Sequence, residues 1–505
     1  MDAIYGLAHG FGVALMPANL MWCFVGCFLG TVIGIIPGLG PAATIAILLP
    51  VTFSMEPTGG IIMLAGIYYG AKYGGSTTSI LLKMPGEASS VVSCLDGYEM
   101  ARKGRPGPAL GIAAISSFIA GTVGVVLLSF LAPPIAAFAL SFSSPEYFAL
   151  MVLGLSLVVL LAGDDVIKTL LALLIGLWLA SIGTDLFTAQ ARFTFGQSAL
   201  LGGIEFMSLA IGVFAIAEIL LSVEAREKVE MLKIPKGLRN LLPSREELKA
   251  CRFAFFNGSI TGFIIGVLPG AGSTIASFVS YGIEKAVSRH PERFGTGVPE
   301  GLAAPEGANN ADTGGALLPL LTLGIPGGSS TAILMSALVL WGVKPGPLLM
   351  TQQPDIFWGL VASMYVGNIA LLIMNLPLIG LFTQILRIPT YVLYPIILGV
   401  AIVGAYSVSG NMFDVGILIG FGLMGYGMQK LGFPTSPLIL GFVLGDAMER
   451  ALRQSLSMSN GDPTILVARP ISAVLLVLAA LILLSPLLRR VFSSRKPVAA
   501  AEPLR

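Results

Sequence analysis

The sequence predicts an all-α polytopic membrane protein made of two inverted repeats, each with a re-entrant hairpin and a discontinuous helix. Three observations carry that prediction. Of the 505 residues, 55% are hydrophobic and 11% charged, against about 25% charged in an ordinary soluble domain. The mean hydropathy is +0.87, and many apolar runs approach the roughly 20 residues that a spanning helix needs. Second, "GIIPGLGPAATIA" (Gly34–Ala46) is answered 232 residues later by "GVLPGAGSTIASF" (Gly266–Phe278). Each puts Pro-Gly-x-Gly, residues that a helix interior avoids, inside an apolar stretch. Third, one polar island, Val223–Arg252, carries eight Lys and Arg and divides the chain.

The 62 Gly and 32 Pro sharpen the reading. Membrane helices tolerate both residues, but broken backbone in lipid has to be buried in protein or line a cavity. Composition therefore points to a transporter or channel with interrupted helices. The net charge of +2 makes no case for nucleic acid. Cys23, Cys27, Cys94 and Cys251 lack metal spacing and read as packing residues. His9 and His290 form no cluster. The N-terminus lacks a basic n-region and an Ala-x-Ala site, so the first apolar segments are expected to act as the insertion signal.

The elements follow from the basic loops, which stay on the cytoplasmic side. "RKGR" (Arg102–Arg105), the island and the cluster Glu284–Phe294 are all placed there. The first repeat, 1–223, then holds a hairpin at about 20–54 entering from outside and a broken helix at about 60–100. The break is at Pro85-Gly86, and spans follow near 109–131, 145–162, 166–182 and 205–223. A basic linker occupies 224–252. The second repeat, 253–448, holds a hairpin at about 254–284 whose ends are both cytoplasmic. Its broken helix, about 312–342, breaks at Pro326-Gly327, and spans follow near 355–384, 389–408, 414–428 and 434–448. A last span, about 470–488, leads to the basic tail in 449–505, which is placed in the cytoplasm. Inverted repeats with discontinuous helices are the pattern of secondary transporters.

Half-helix ends leave backbone N–H and C=O groups unpaired, and a bound anion suits the N–H ends. Gly38, Gly40, Gly270 and Gly272 would let backbone approach a ligand, with Gly40 and Gly272 expected at positive φ. The plain alternative is two tight turns between packed helices. Next to the tips and breaks stand Pro41, Gly86, Glu87, Ser89, Ser90, Ser273, Thr274, Gly327, Gly328, Ser329 and Ser330. Their hydroxyls could donate to a carboxylate or merely cap a helix. Ser76, Thr77 and Thr78 in "GGSTTS", with Asn309, Asn310 and Asp312 in "EGANNADTGG", are candidate ligands for a sodium ion. Packing for the first group and a polar helix cap for the second are the alternatives. Lys72, Lys83, Glu87 and Asp96 are ionisable residues near the first break, and Glu87 could simply neutralise Lys83. Gly30-xxx-Gly34 and Gly262-xxx-Gly266 read as close-packing faces. "GLGPAA" with Glu56 downstream imitates a dinucleotide motif without any βαβ unit, and "GVLPGAGST" lacks the lysine of a P-loop. The absence of a nucleophile or metal set argues against an intramembrane enzyme. With so little Arg in the apolar core, a substrate's negative charge is expected to be met by dipoles, hydroxyls and coupled cations.

Four stretches in order, "GTVIGIIPGLGPAATIAILLP", "YGGSTTSILLKMPGE", "GVLPGAGSTIASF" and "PEGANNADTGGALLPLLTLGIPG", resemble the large membrane subunit of the tripartite tricarboxylate transporters, the TctA family. The likeness spans nearly the whole chain. It implies a bacterial inner-membrane importer of carboxylates such as citrate, usually sodium-coupled and without any other cofactor. It also implies an elevator-type mechanism and two partners: a small four-helix TctB-like membrane subunit and a periplasmic TctC-like solute-binding protein. A homodimer within the complex is left open. A carboxylate or ion channel, or a proton-coupled transporter of another organic anion, are the rival functions. Lys83 departs from the family pattern, which commonly has Asn there. The charge distribution makes one firm forecast. A single cysteine near Met55 should react with a membrane-impermeant thiol reagent from the periplasm, and one near Arg289 only from the cytoplasm. Labelling of both from one side would refute the inverted repeat.

Overall fold

The computed structural model describes residues 3–36, 39–160, 165–185, 187–225, 237–385 and 390–493. Gly38, much of the basic linker and the end of the tail lie outside the described residues. The protein is mostly helical. Its first half runs α1 (Ala3–Ala14), α2 (Pro17–Gly34), α3 (Pro41–Thr52) and α4 (Pro57–Leu82). After a break come a short turn at Ala88–Val91, a π-turn at Cys94–Tyr98 and α5 (Glu99–Arg102). Then follow α6 (Pro106–Ala139), α7 (Ser144–Leu160) and α8 (Val166–Ala180), and α9 (Phe206–Ile211) joined by a π-turn to α10 (Ala217–Ala225). A two-residue antiparallel ladder pairs Gly183 with Arg192 and Thr184 with Ala191.

The second half runs α11 (Arg245–Ala250), α12 (Arg252–Val267), α13 (Gly272–Val287), α14 (Pro299–Leu323) and α15 (Ser329–Leu340). It continues with α16 (Leu349–Gln352), α17 (Pro354–Asn375), α18 (Ile379–Ile385), α19 (Thr390–Ser409) and α20 (Met412–Lys430). The chain closes on α21 (Ser436–Met458), α22 (Ile465–Ala468) and α23 (Pro470–Ser493). Five of the described helices are long and apolar enough to cross a membrane. By contrast α12 and α13 have 16 residues each, about 24 Å at 1.5 Å per residue, short of a hydrocarbon core of about 30 Å.

Each helix starts and stops for local reasons. Proline occupies the first turn of α2, α3, α4, α14 and α17, where its missing N–H costs nothing. Helix α4 ends on Lys83 at φ 58°, and α14 on Gly324 at φ 72°. The second discontinuous helix begins at Pro299, well before the expected 312. Asp312 therefore lies in mid-helix and buried, not at a polar cap. The polar run Glu306–Asp312 is thus helical, and its side chains pair inside the protein except at Asn310 Oδ1 and Asp312 Oδ1, which have no partner.

What holds each hairpin is backbone-on-backbone packing. An added Cβ at Gly26, Gly30 or Gly34 on α2 would stand 2.2, 2.5 or 2.3 Å from the carbonyl oxygens of Met63, Ile67 and Ala71 on α4. At Gly258, Gly262 and Gly266 on α12 the distances are 2.7, 2.4 and 2.6 Å, to Ala304, Ala308 and Asp312 on α14. No side chain fits there, so the helices touch along their axes, as small residues permit in membranes. The same stripe recurs in both halves with the same spacing.

Polar contacts tie distant parts of the chain together. They join Arg105 with Glu247, Lys103 with the Thr296 carbonyl and Lys430 with Glu224. Others join Glu146 with Arg469, Asp185 with Arg453 and His9 with Asp355. Asp96 is the clasp between the first break and α14. It is fully buried, and its carboxylate accepts from the backbone N–H of Gly295 (3.0 Å), Gly297 (2.7 Å) and Val298 (2.9 Å) and from the Tyr281 hydroxyl (3.0 Å). A residue of the first half thus caps the start of α14. Gly301 makes room, since a Cβ there would lie 2.2 Å from Asp96 Oδ2. Asp96→Asn puts an amide NH₂ against these donors and should cost about 1–3 kcal/mol, read as a lower unfolding midpoint in detergent.

Candidate functional site

A cavity of about 850 Å³ lies where the two hairpins meet the two breaks. Its wall includes Gly40 and Pro41 from the first tip and Gly270, Gly272, Ser273 and Thr274 from the second. The first break supplies Pro85, Glu87 and Ser89, and the second Gly327, Gly328, Ser329 and Ser330. Widely separated sequence motifs thus share one space. The two halves touch it alike. A Cβ on Gly86 would meet Gly75 Cα at 2.3 Å and Gly34 O at 2.8 Å, and one on Gly327 would meet Ala316 Cα at 2.8 Å and Gly266 O at 3.0 Å. Each break is slotted between the hairpin and the helix it interrupts.

Four helical starts border the cavity: α3 behind Gly40, the turn behind Glu87, α13 at Gly272 and α15 behind Gly328. Neither α3 nor α13 has a side chain capping its first N–H groups. The positive ends of α3, α13 and α15 therefore lean on one space, which favours an anion. The second tip is pinned by the Gly270 N–H, which donates to Gly327 O at 2.8 Å. Among the described residues the Ser273, Thr274, Ser329 and Ser330 hydroxyls show no side-chain hydrogen bond within the protein, so they remain available to a ligand.

Charge enters from α4 and α14. Lys72 and Asp312 line the cavity; Lys72 Nζ lies 2.8 Å from Asp312 Oδ2 and donates to Asn309 O at 2.7 Å. Both side chains are buried, 1% and 3% exposed, and a buried charge survives only when paired. Asn309 stands behind the wall. Its Nδ2 donates to Glu87 Oε1 at 2.9 Å, and the Ser89 hydroxyl donates to the same oxygen at 2.5 Å. Lys83 takes no part. It points over the Tyr98 ring at 5.6 Å, so Glu87 does not neutralise it. Nor is negative charge left to dipoles and hydroxyls alone, because Lys72 puts a fixed cation in the wall. A lone lysine in mid-helix fits no motif. Its only signal was that it interrupts the apolar run of α4.

Other candidates lie off the cavity. Ser76 donates to Glu306 at 2.5 Å, with Ser93 on the carboxylate's other oxygen. Thr78 bonds back to Gly75 O at 2.9 Å, and Thr77 is buried in the same turn of α4. Asn310 Nδ2 donates to Ser117 at 2.7 Å. Gly86 and Ser90 are buried in the break, where Ser90 bonds the Glu87 backbone. The sequence reading singled out neither Glu306 nor the far wall, where Asp165, Thr169, Gln429 and Gly432–Pro437 also border the cavity.

The two tip glycines are not alike. Gly272 has φ +63° with open space around its Cα, as expected. Gly40 has φ −67° and ψ 175°, an extended conformation open to any residue, which corrects the expected positive φ. A Cβ there would lie 3.5 Å from Glu87 Cβ, ordinary contact. Gly40→Ala should therefore leave folded yield unchanged, whereas Gly272→Ala should cost about 1 kcal/mol or more of stability through its left-handed backbone. Gly30→Ala and Gly262→Ala, on the packing stripes, should lower folded yield most while surviving protein keeps the parent's ligand affinity. Folded yield and ligand binding for the four variants check all three statements.

Comparison with known proteins gives the family. The model of the "Tripartite tricarboxylate transporter TctA family" matches residues 20–440. An Agrobacterium vitis protein, described as an uncharacterized 52.8 kDa protein in the TAR-I ttuC' 3' region, is 48% identical over 502 residues, 99% of this chain and all of its own. A second from the same organism, in the TAR-II ttuC' 3' region, is 46% identical over 237 residues, 47% of this chain and 98% of its own. No solved structure matches. The chain is a multi-pass membrane protein and belongs to the tripartite tricarboxylate transporter TctA family.

Proposed function

We propose that this chain is the large membrane subunit of a binding-protein-dependent secondary transporter that imports di- and tricarboxylates such as citrate with sodium. The observation that carries the reading is the cavity itself. Helix starts from both halves, the free hydroxyls behind Gly272 and Gly328, and the Lys72 ammonium all border it, which is chemistry for a small polyanion. Substrate would be held by Gly40, Pro41, Glu87, Ser89, Gly270, Gly272, Ser273, Thr274 and Gly327–Ser330. Sodium would use Asp312, Asn309 and tip carbonyls, since hard cations take oxygen ligands.

The matched glycine stripes of α2 and α12 and the matched breaks at Gly86 and Gly327 support a repeat. By the charge rule the ends that carry Lys103, Arg105 and Lys430 are assigned to the cytoplasm, which makes the repeat inverted. The cavity reaches exposed Asp165 and Gly432, which by the same assignment face the cytoplasm, so the conformation is inward-facing. The glycine-locked units, α2–α4 and α12–α15, suit a rigid transport domain that moves elevator-fashion against the remaining helices. The family's tripartite description supports two partners, a small TctB-like membrane subunit and a TctC-like periplasmic binding protein. The complex would reside in the bacterial inner membrane with its C-terminus in the cytoplasm.

Coupling gives the test. Proteoliposomes holding the full complex should take up labelled carboxylate only with an inward sodium gradient, and should accumulate it above the outside concentration. Uptake that follows a proton gradient alone would reject sodium and point to Glu87 or another carboxylate as the proton carrier. Equilibration without accumulation would mark a channel.

A further inference from the structure

Resting on the reading of the cavity as a carboxylate site, we propose that Lys72 anchors one substrate carboxylate and that Asp312 is its resident counter-ion. Substrate displaces Asp312, which then takes a monovalent cation. Coupling is thus an exchange of partners on one ammonium group.

The geometry leaves room on both partners. An ammonium has three protons. Lys72 spends two on Asp312 Oδ2 and Asn309 O, and the group sits 5.0 Å from the Tyr68 ring centroid. The Asp312 carboxylate uses Oδ2, but its Oδ1 is buried without any partner. Both residues line the cavity. A carboxylate entering between the starts of α3, α13 and α15 therefore meets an ammonium whose present partner is incompletely held.

The exchange has a forced consequence. Once a substrate oxygen takes Lys72, Asp312 is a bare carboxylate in a buried site. That is costlier than any single hydrogen bond can offset. The groups facing it are Lys72 and Tyr68 from α4 and Glu87 from the first break, and Glu87 is itself acidic. Neither Tyr68 nor Glu87 replaces the lost positive charge, so a sodium ion or a proton must. Without substrate the lysine fills that place, and a cation has no reason to bind. Substrate and cation thus arrive as a pair. Asn309 ties the wall together, because its carbonyl holds Lys72 while its amide holds Glu87.

The test uses the purified full-length chain in detergent with citrate and succinate as probes. Binding is measured by calorimetry in sodium or choline chloride at two pH values. The parent should bind more tightly with sodium or with acid, and the arm that responds names the cation. Asp312→Asn should bind at least as tightly as the parent and respond to neither. The charge-neutral pair Lys72→Met/Asp312→Asn should keep its unfolding midpoint but lose roughly tenfold to hundredfold in affinity, the size of one charge-assisted hydrogen bond. Lys72→Met alone, which strands Asp312, should be the least stable of the set. Parent-like affinity in the double variant would overturn the anchor. A cation response retained in Asp312→Asn would overturn the exchange, even if the double variant does not fold. A parent that binds neither probe under any condition would reject the carboxylate reading of the cavity, and this inference with it.

Discussion

Interrupted backbone cannot face lipid, and in this protein the burial of two such interruptions rests on glycine-lined contact between helices. Helix α2 lies on α4, and α12 on α14, close enough that backbone meets carbonyl. Only that approach brings the hairpin tips level with the breaks. It also leaves no slack, because each break passes between two helices at a glycine, Gly86 or Gly327, where no side chain has space. The cavity is what remains when four chain ends are pressed together but cannot fill the space between them. Its polarity comes from those ends, since every helix start exposes N–H groups that the helix cannot use.

The second constraint is charge. Helices α4 and α14 cross the middle of the fold and contribute Lys72, Glu306, Asn309 and Asp312, all buried. Glu306 is held by hydroxyls, Glu87 by a hydroxyl and an amide, and Asp312 by the ammonium. Neutral donors satisfy the first two without any mobile partner. Only the third depends on a charged group that a ligand can also claim. Asp96, by contrast, receives donors on both oxygens and serves as a fastener.

Much of this was legible in the chain because it violates local rules. Pro-Gly in an apolar run is costly, so the tips and breaks at Pro269-Gly270, Pro85-Gly86 and Pro326-Gly327 announce themselves. The spacing of Gly30, Gly34, Gly262 and Gly266 likewise has few uses other than close packing. The start of α14 was not legible. A polar stretch such as Glu306–Asp312 reads as surface until its partners on other helices are known. Ser76 and Lys72 come from elsewhere in the sequence, and no periodicity links them to Glu306 and Asp312. Gly40 was misjudged because its likeness to Gly272 is one of sequence and not of backbone angle. The helical spacing of Glu306, Asn309, Asn310 and Thr313 was a usable signal, placing four polar residues on one face of a helix.

The repeated contacts also show where the two halves stop being alike. Gly34 packs on Ala71 where Gly266 packs on Asp312. Ala71 and Asp312 are thus counterparts, and so, one residue on, are Lys72 and Thr313. The ion pair joins positions that are not counterparts, one from each half, and among the described residues the matching positions do not repeat it. Repeated packing contacts therefore enclose a chamber whose ammonium–carboxylate pair is not repeated. A molecule with two identical arms, laid across that chamber, would find its arms in different surroundings. Chemically equivalent groups become distinguishable there, which is the geometric requirement for telling apart the paired ends of a prochiral molecule.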